Sequence, residues 1–311
     1  MFVGKKYKEL RHLRKSDFTK IEELICQDLG GRGLGKAALI PGDLARAAEK
    51  LMDSTTVLIV TGFGIKDTLI GETDGPLGAL SLAGALEELG KNAVLITDQY
   101  SSPLLEAGST LKGLSSPLEV VPYDGAEIFC VDLINKYRPS MIVAIERPGR
   151  ARDGRFYSMR GEDLTYLIPN TDPLFTKAAE LGIPTAAVGD GGNELGMGKI
   201  ADIIQNSVSN GTQICAVTRA DYVLVTGVSN WGGHGLTAAL SLLSGKNLLH
   251  DRKMEKDLLA ALVKEGAIDG CSKKREMTVD GLSLEINLAI LDELHQIVEM
   301  ELLKEKKAVS F

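Results

Sequence analysis

Apolar residues in this chain fall into short unbroken blocks separated by longer amphipathic stretches. Blocks of strand length occur at Val57–Val60, Ala93–Thr97, Leu118–Val121, Met141–Ile145, Thr185–Val188 and Tyr222–Thr226. They are runs of Val, Ile, Leu and Ala without polar alternation, which predicts strands covered on both faces. Between most of them lie helical patterns, at Leu77–Leu89, Ala126–Tyr137, Pro173–Leu181 and Ile200–Val208. Strands alternating with helices predict an α/β fold, a three-layer αβα sandwich around a mostly parallel sheet. Upstream, residues 1–30 read as a charged amphipathic helix with Phe18, Ile21, Leu24 and Ile25 on one face and Ser16 or Asp17 as N-cap. A glycine-rich turn (Gly30–Gly35) ends it, and a helix at Leu44–Met52 leads into the first strand. Downstream, Leu236–Leu243, Lys253–Lys264 and Leu284–Lys304 read as helices, with a short strand or turn near Met277–Leu282. The simplest division is one domain over residues 1–311. Its core lies at about 55–245, with helical extensions at about 1–50 and about 250–311. Ile286, Ile290, Leu294 and Ile297 give the last helix an apolar face, to be packed within the chain in preference to a second copy.

Composition narrows the partners. With 311 residues, 44% hydrophobic and 25% charged, the chain has the make-up of an ordinary globular protein. A formal net charge of -7 argues against nucleic acid or an anionic membrane. Met1 to Lys8 is basic but lacks an apolar core, and no run approaches the ~18 apolar residues of a membrane span, so a cytoplasmic location is expected. Cys26, Cys130, Cys215 and Cys271 are far apart and suggest neither a disulfide framework nor a zinc site. Cys130 and Cys215 read as small buried hydrophobes.

In open parallel sheets, ligands bind beyond the carboxyl ends of the strands, and there this chain gathers its polar residues. The first strand is followed by Thr61-Gly62-Phe63 and the loop Gly71-Glu72-Thr73-Asp74-Gly75-Pro76. The second is followed by Asp98-Gln99, and the fourth by Glu146-Arg147-Pro148-Gly149-Arg150. The fifth runs into Asp190-Gly191-Gly192-Asn193-Glu194, and the sixth into Gly227-Val228-Ser229-Asn230-Trp231-Gly232-Gly233. Taken singly, each piece also reads as a turn or helix cap. Together they predict an anion-friendly rim where helix N-termini converge. Glu146 could be a general base or metal ligand; Arg147 and Arg150 could be structural ion pairs or a bidentate clamp for a substrate carboxylate. Asp190 and Glu194, joined by Glu146 or Asp98, could form a hard-oxygen cluster suited to magnesium or manganese, and no cofactor beyond such an ion is implied. His234 could be a proton carrier or a plain first-turn helix residue. The chain has no Walker-type phosphate loop, no serine-hydrolase elbow, and no dinucleotide fingerprint at Gly31-Arg32-Gly33-Leu34-Gly35. The expectation is that Asp74, Glu146, Asp190, Glu194 and Asn230 meet in one solvent-reachable crevice.

Five of these segments resemble the C-terminal domain of D-glutamate cyclase and its stand-alone bacterial relatives. They are Thr61-Gly62-Phe63, Glu72 to Pro76, Ala144 to Arg150, Val188 to Gly198 and Gly227 to Gly233, in the same order between about residues 30 and 282. The resemblance implies a lyase, a hydro-lyase of amino-acid metabolism, that cyclises D-glutamate to 5-oxo-D-proline with loss of water. In the eukaryotic form this domain is joined to an N-terminal partner domain, and no segment here looks like that partner. Laid against the implied reaction, Asp190 or Glu194 would take the ammonium proton. Arg147 or Arg150 would hold a substrate carboxylate. A divalent ion or the amides after Ser229 would stabilise the oxyanion. Thr61, Gly62, Asp74, Gly75, Gly191, Gly192 and Ser229 would line the substrate site, with Asn193 and Asn230 orienting the substrate. The competing classes are a regulatory module that binds an acidic metabolite without converting it, and a magnesium-dependent phosphotransfer enzyme acting on small molecules. The partner expected is a small acidic substrate, and a homo-oligomer is compatible with the sequence.

Overall fold

The structure, a computed structural model, describes residues 15–309; the part of the first expected helix before Lys15 lies outside them. Six strands form the central sheet: β1 (Thr56–Thr61), β4 (Asn92–Asp98), β5 (Leu118–Val121), β6 (Met141–Ile145), β7 (Thr185–Gly189) and β8 (Tyr222–Val225). Their order is β5-β4-β1-β6-β7-β8 and every pairing is parallel. The expected αβα sandwich is thus present, with a sheet that is parallel throughout. Two small hairpins, β2–β3 (Gly64–Ile65 and Ile70–Gly71) and β9–β10 (Thr278–Val279 and Leu282–Ser283), lie apart from it. The second occupies the place where a strand or turn was expected.

The uninterrupted apolar strands are explained by two cores, one on each face. Successive strand residues point to opposite sides, so Val57, Ile59, Leu95, Val143, Ile145 and Val188 enter one cluster, while Leu58, Val60, Ile96, Ile142, Ala144 and Ala187 enter the other. The first face is covered by α1 (Lys15–Ile25), α2 (Asp43–Asp53), α3 (Pro76–Glu88), α4 (Ser102–Lys112), α9 (Ser229–Ser244), α10 (Arg252–Glu265) and α11 (Leu284–Val309). The second is covered by α5 (Ala126–Tyr137), α6 (Pro173–Leu181) and the short helices α7 (Ala201–Ser207) and α8 (Gly211–Ile214). On α11, Ile290 and Leu294 are buried in the first cluster, as expected for a helix packed within the chain, whereas Ile286 is exposed. Cys26, Cys130 and Cys215 are buried free thiols. Among the described residues no helix is long and apolar enough to cross a membrane.

Helix α9 begins at Ser229, well before the expected Leu236. Gly232, Gly233 and Gly235 look like loop residues in sequence, because glycine is a poor helix former. Packing explains them. A Cβ on Gly233 would overlap the backbone of Gly78, and one on Gly78 would lie 3.0 Å from Asn230 Cα. The first turns of α3 and α9 therefore touch backbone to backbone, which only glycines allow. That contact brings two helix N-termini together at the carboxyl edge of the sheet.

The strand order also fixes where a ligand can go. From central β1 the chain winds outward through β4 and β5, then returns to place β6, β7 and β8 on the other side. The loops leaving β1 and β6 thus diverge, opening the crevice typical of a doubly wound sheet.

Candidate functional site

Glu146 is the first residue beyond β6, at the switch point itself. Its φ is 46°, in the left-handed region that a glutamate seldom adopts. Backbone bonds to both neighbouring strands hold it there: its N–H donates to Val188 O and its carbonyl accepts from Gly62 N–H, both at 3.2 Å. A non-glycine residue over-determined in this way is the kind of feature that marks a working site. Its Oε2 accepts a 2.5 Å bond from the Ser229 hydroxyl. Burial pushes its carboxyl well above the ordinary range, and the charges of Glu194 and Asp74 push it further.

Asp74 and Asn230 cap each other's helices. Asp74 Oδ2 accepts from Ser229 N–H (2.8 Å) and Oδ1 from Asn230 N–H (2.7 Å), satisfying the start of α9. Asn230 Oδ1 accepts from Gly75 N–H and Gly78 N–H, both at 2.9 Å, at the start of α3, while its amide donates to Thr73 O. Gly75 has φ 96°, and a Cβ there would come within 2.8 Å of Glu146 Cβ and 2.7 Å of Thr61 Oγ1. Thr61 is buried, and its hydroxyl has no partner. Gly62, at φ 109°, lets the chain leave β1 beneath Arg147.

The loop after β7 folds around Glu194. One carboxylate oxygen accepts from Asp190 N–H (3.0 Å) and Gly191 N–H (2.6 Å), the other from Gly192 N–H (2.6 Å). Gly191 and Gly192 are packed against Met159 and Ile204, leaving no room for a side chain. Asn193 donates to Tyr157 O, and its buried Oδ1 has no partner. Asp190 Oδ1 takes a 2.7 Å ion pair from Arg32, while its Oδ2 is buried and unpartnered. Burial raises the Asp190 carboxyl well above its usual range; Arg32 opposes the rise, and Glu146 adds to it.

Asp74, Glu146, Asp190, Glu194 and Asn230 gather at one edge of the sheet, but all five are buried and, of them, Glu146 alone reaches the cavity rather than all sharing a solvent-reachable crevice. Glu146 and Asn193 line a cavity of about 150 Å³, together with Arg32, Phe63, Glu72 and Met159. Asp74, Asp190, Asn230 and Glu194 are buried away from it. Thr61, Gly62, Gly75, Gly191, Gly192 and Ser229, expected to line the substrate site, do not line the cavity either, and the two arginines expected there are engaged elsewhere. The guanidinium of Arg147 is fully buried, ion-paired to Asp98 and bonded to Gly62 O (3.0 Å), Pro169 O (2.9 Å) and Thr171 Oγ1 (3.1 Å). This spends it on tying strand ends together, the structural ion pair of the two roles open to it. Arg150 points into a separate groove with Glu127 and Asp172. His234 lies in the second turn of α9, buried against Glu255 (3.1 Å), which also holds His250 (2.6 Å). Trp231 is a core residue, bonded to Asn287.

Other site residues escaped notice in the sequence. Arg32, on the turn flanked by Gly31 and Gly33, reaches both Asp190 and Asp280, the latter at 2.5 Å. Asp280 arrives from the β9–β10 turn because the C-terminal segment is stitched to residues 72–73. Thr73 N–H donates to Ile268 O, and its hydroxyl to Thr278 O. Glu72 is buried beside them, its carboxyl raised well above normal by burial and by Asp280 and Asp74. Arg160 and Lys273 add positive charge to the cavity wall. The sequence signal for Asp280 was its Asp-Gly turn; Arg32 and Glu72 stood inside loops already noted, with nothing local to mark them.

The parallel six-stranded sheet with helices on both faces defines a three-layer α/β protein that carries a knot of buried carboxylates at one edge. The particular family follows from sequence comparison: residues 21–295 match the family model described as D-glutamate cyclase-like, C-terminal, and the chain belongs to that family. It is similar to "D-glutamate cyclase, mitochondrial" of Homo sapiens, 35% identical over 238 residues that make up 72% of this chain. The matched region spans 38% of that relative's length.

Proposed function

We propose that this chain is a lyase that closes D-glutamate into 5-oxo-D-proline with loss of water. The observation that carries the reading is Glu146, a carboxyl with raised proton affinity that lines the cavity at the sheet's switch point and is hydrogen-bonded by Ser229. The family membership and the human relative's name support the choice of substrate.

The chemistry asks for one kind of group above all. The substrate begins with an ammonium and a γ-carboxylate. The new C–N bond forms as one C–O bond breaks, and two protons leave nitrogen for the departing oxygen, which goes as water. A carboxyl whose proton affinity burial has raised can take a proton and return it. In this reading Glu146 takes the first ammonium proton, the neutral amine attacks the γ-carbon, and Glu146 returns a proton to the leaving oxygen. Ser229 orients the Glu146 carboxyl. The partnerless Asn193 Oδ1 is a natural acceptor for substrate N–H. Arg32, Arg160 and Lys273 supply positive charge for the substrate's carboxylates, the role that Arg147 and Arg150 cannot fill from where they lie. The buried oxygens could also hold a hard divalent ion, which when bound would polarise a carboxyl oxygen.

The test is incubation of the full chain with D-glutamate, L-glutamate and D-glutamine, followed by chiral mass-spectrometric detection of 5-oxoproline. We expect product from D-glutamate and a loss of about 100-fold or more in Glu146→Gln. No product from any of the three, with D-glutamate nonetheless raising the melting temperature, would leave a metabolite-binding module instead.

A further inference from the structure

Six carboxylates are buried within one small region: Glu72, Asp74, Glu146, Asp190, Glu194 and Asp280. The guanidinium that reaches them is Arg32, which pairs with the Oδ1 atoms of Asp190 and Asp280. Glu194 is committed to three backbone N–H groups and Glu146 to Ser229. The Oδ2 atoms of Asp190 and Asp280, by contrast, are sealed from solvent and have no hydrogen-bond partner. A buried acceptor of this kind costs stability unless something fills its lone pairs. Asp74, Asp190 and Asp280 each offer an oxygen, and these oxygens lie within 4.8 Å of one another.

We infer that Asp74, Asp190 and Asp280 form a binding site for a hard divalent cation of the magnesium or manganese type. All-oxygen donors of negative charge select such an ion over zinc or copper. An octahedral ion with ligands at about 2.1 Å sets adjacent oxygens about 3 Å apart, so a small closure of the triad would supply three of the six ligands, with water for the rest. The three ligands come from distant segments: the β3–α3 loop, the β7 loop and the β9–β10 turn. An ion here therefore pins the C-terminal segment to the sheet edge. The Oδ1 atoms of Asp190 and Asp280 remain with Arg32, which leaves their unpartnered Oδ2 atoms for the ion. Glu146, Asp190 and Glu194, which include the pair expected from sequence, also bring three carboxylate oxygens within 4.8 Å of one another; the Asp74 set is preferred because it holds both unpartnered oxygens, Asp190 Oδ2 and Asp280 Oδ2. The site stands whether or not the chain turns over D-glutamate.

Manganese is the probe. The full-length chain is stripped with EDTA and titrated with Mn²⁺, binding being read by electron paramagnetic resonance and calorimetry. One ion per chain is expected, with affinity falling by at least about tenfold in Asp190→Asn and Asp280→Asn. Cys271 provides a readout that needs no variant, since its Sγ lies 3.9 Å from Asp280 Oδ1 and it is the exposed cysteine of the four. Bound Mn²⁺ should slow its alkylation several-fold. No uptake by the wild type at millimolar Mn²⁺ overturns the inference, as do folded variants that bind like wild type. If the variants do not fold, an unchanged Cys271 alkylation rate at saturating Mn²⁺ overturns it equally. Turnover that persists in stripped protein with no Mn²⁺ uptake sinks the site alone; uptake without any 5-oxoproline sinks the reaction alone.

Discussion

Replacing Glu194 separates a brace from a catalyst. Its carboxylate closes the loop after β7 through three backbone N–H bonds at 2.6 to 3.0 Å, all buried. In Glu194→Gln the carboxamide oxygen can still serve the Asp190 and Gly191 N–H groups. The amide nitrogen must then face the Gly192 N–H, donor against donor. One charge-assisted bond is lost and one buried N–H is orphaned, a cost of about 2–4 kcal/mol. Glu194→Ala removes all three bonds and empties the space against Gly189, where a Cβ would already lie 2.7 Å from Glu194 Cδ, so its cost is larger. Urea unfolding at neutral pH gives the number, as a fall in midpoint with an unchanged slope. The reasoning fails if Glu194→Gln unfolds within about 0.5 kcal/mol of wild type yet loses turnover, for the carboxylate would then be working on substrate.

Three further outcomes follow from the same geometry. The raised Glu72 carboxyl binds its proton more tightly folded than unfolded. Its contribution is therefore most favourable below the unfolded value near about pH 4 and declines as pH climbs toward the raised one. Glu72→Gln should accordingly gain stability on wild type between pH 5 and pH 8 in urea melts without divalent ions, and a gap that narrows with pH contradicts this. Gly233→Ala drives a methyl group into the Gly78 backbone. It should cost about 3 kcal/mol or more and loosen both capped helix starts, which hydrogen exchange at Gly75 and Gly78 would show. Arg147→Met strands the buried Asp98 carboxylate and should cost about 3–5 kcal/mol in the same melts. A near-neutral result would mean that Asp98 finds another partner.

The recurrence of capping across the site explains why its residues look catalytic in sequence. Acids, amides and glycines at strand-to-helix corners serve helix starts and ligands equally well, and Asp74 and Asn230 do the first for each other. Glu146 differs because its left-handed backbone and cavity-lining carboxyl bring no helix-capping bond of its own.

The sequence alone determined the six strands, since a segment covered on both faces must be apolar without interruption, and with them the parallel α/β class. It also placed Asp74, Glu146, Asp190, Asn193 and Ser229 at the sheet's carboxyl edge, because topology sends every strand-to-helix corner there. Partnership was decided only by tertiary structure. Nothing near Arg147 foretells that Asp98, Gly62, Pro169 and Thr171 will consume its donors. Nor does Arg32 announce that it will meet Asp190 and Asp280, far away along the chain. Periodicity reports which face of an element is buried; whether a buried polar group is satisfied depends on atoms contributed by distant segments, and those are known only once the chain has folded.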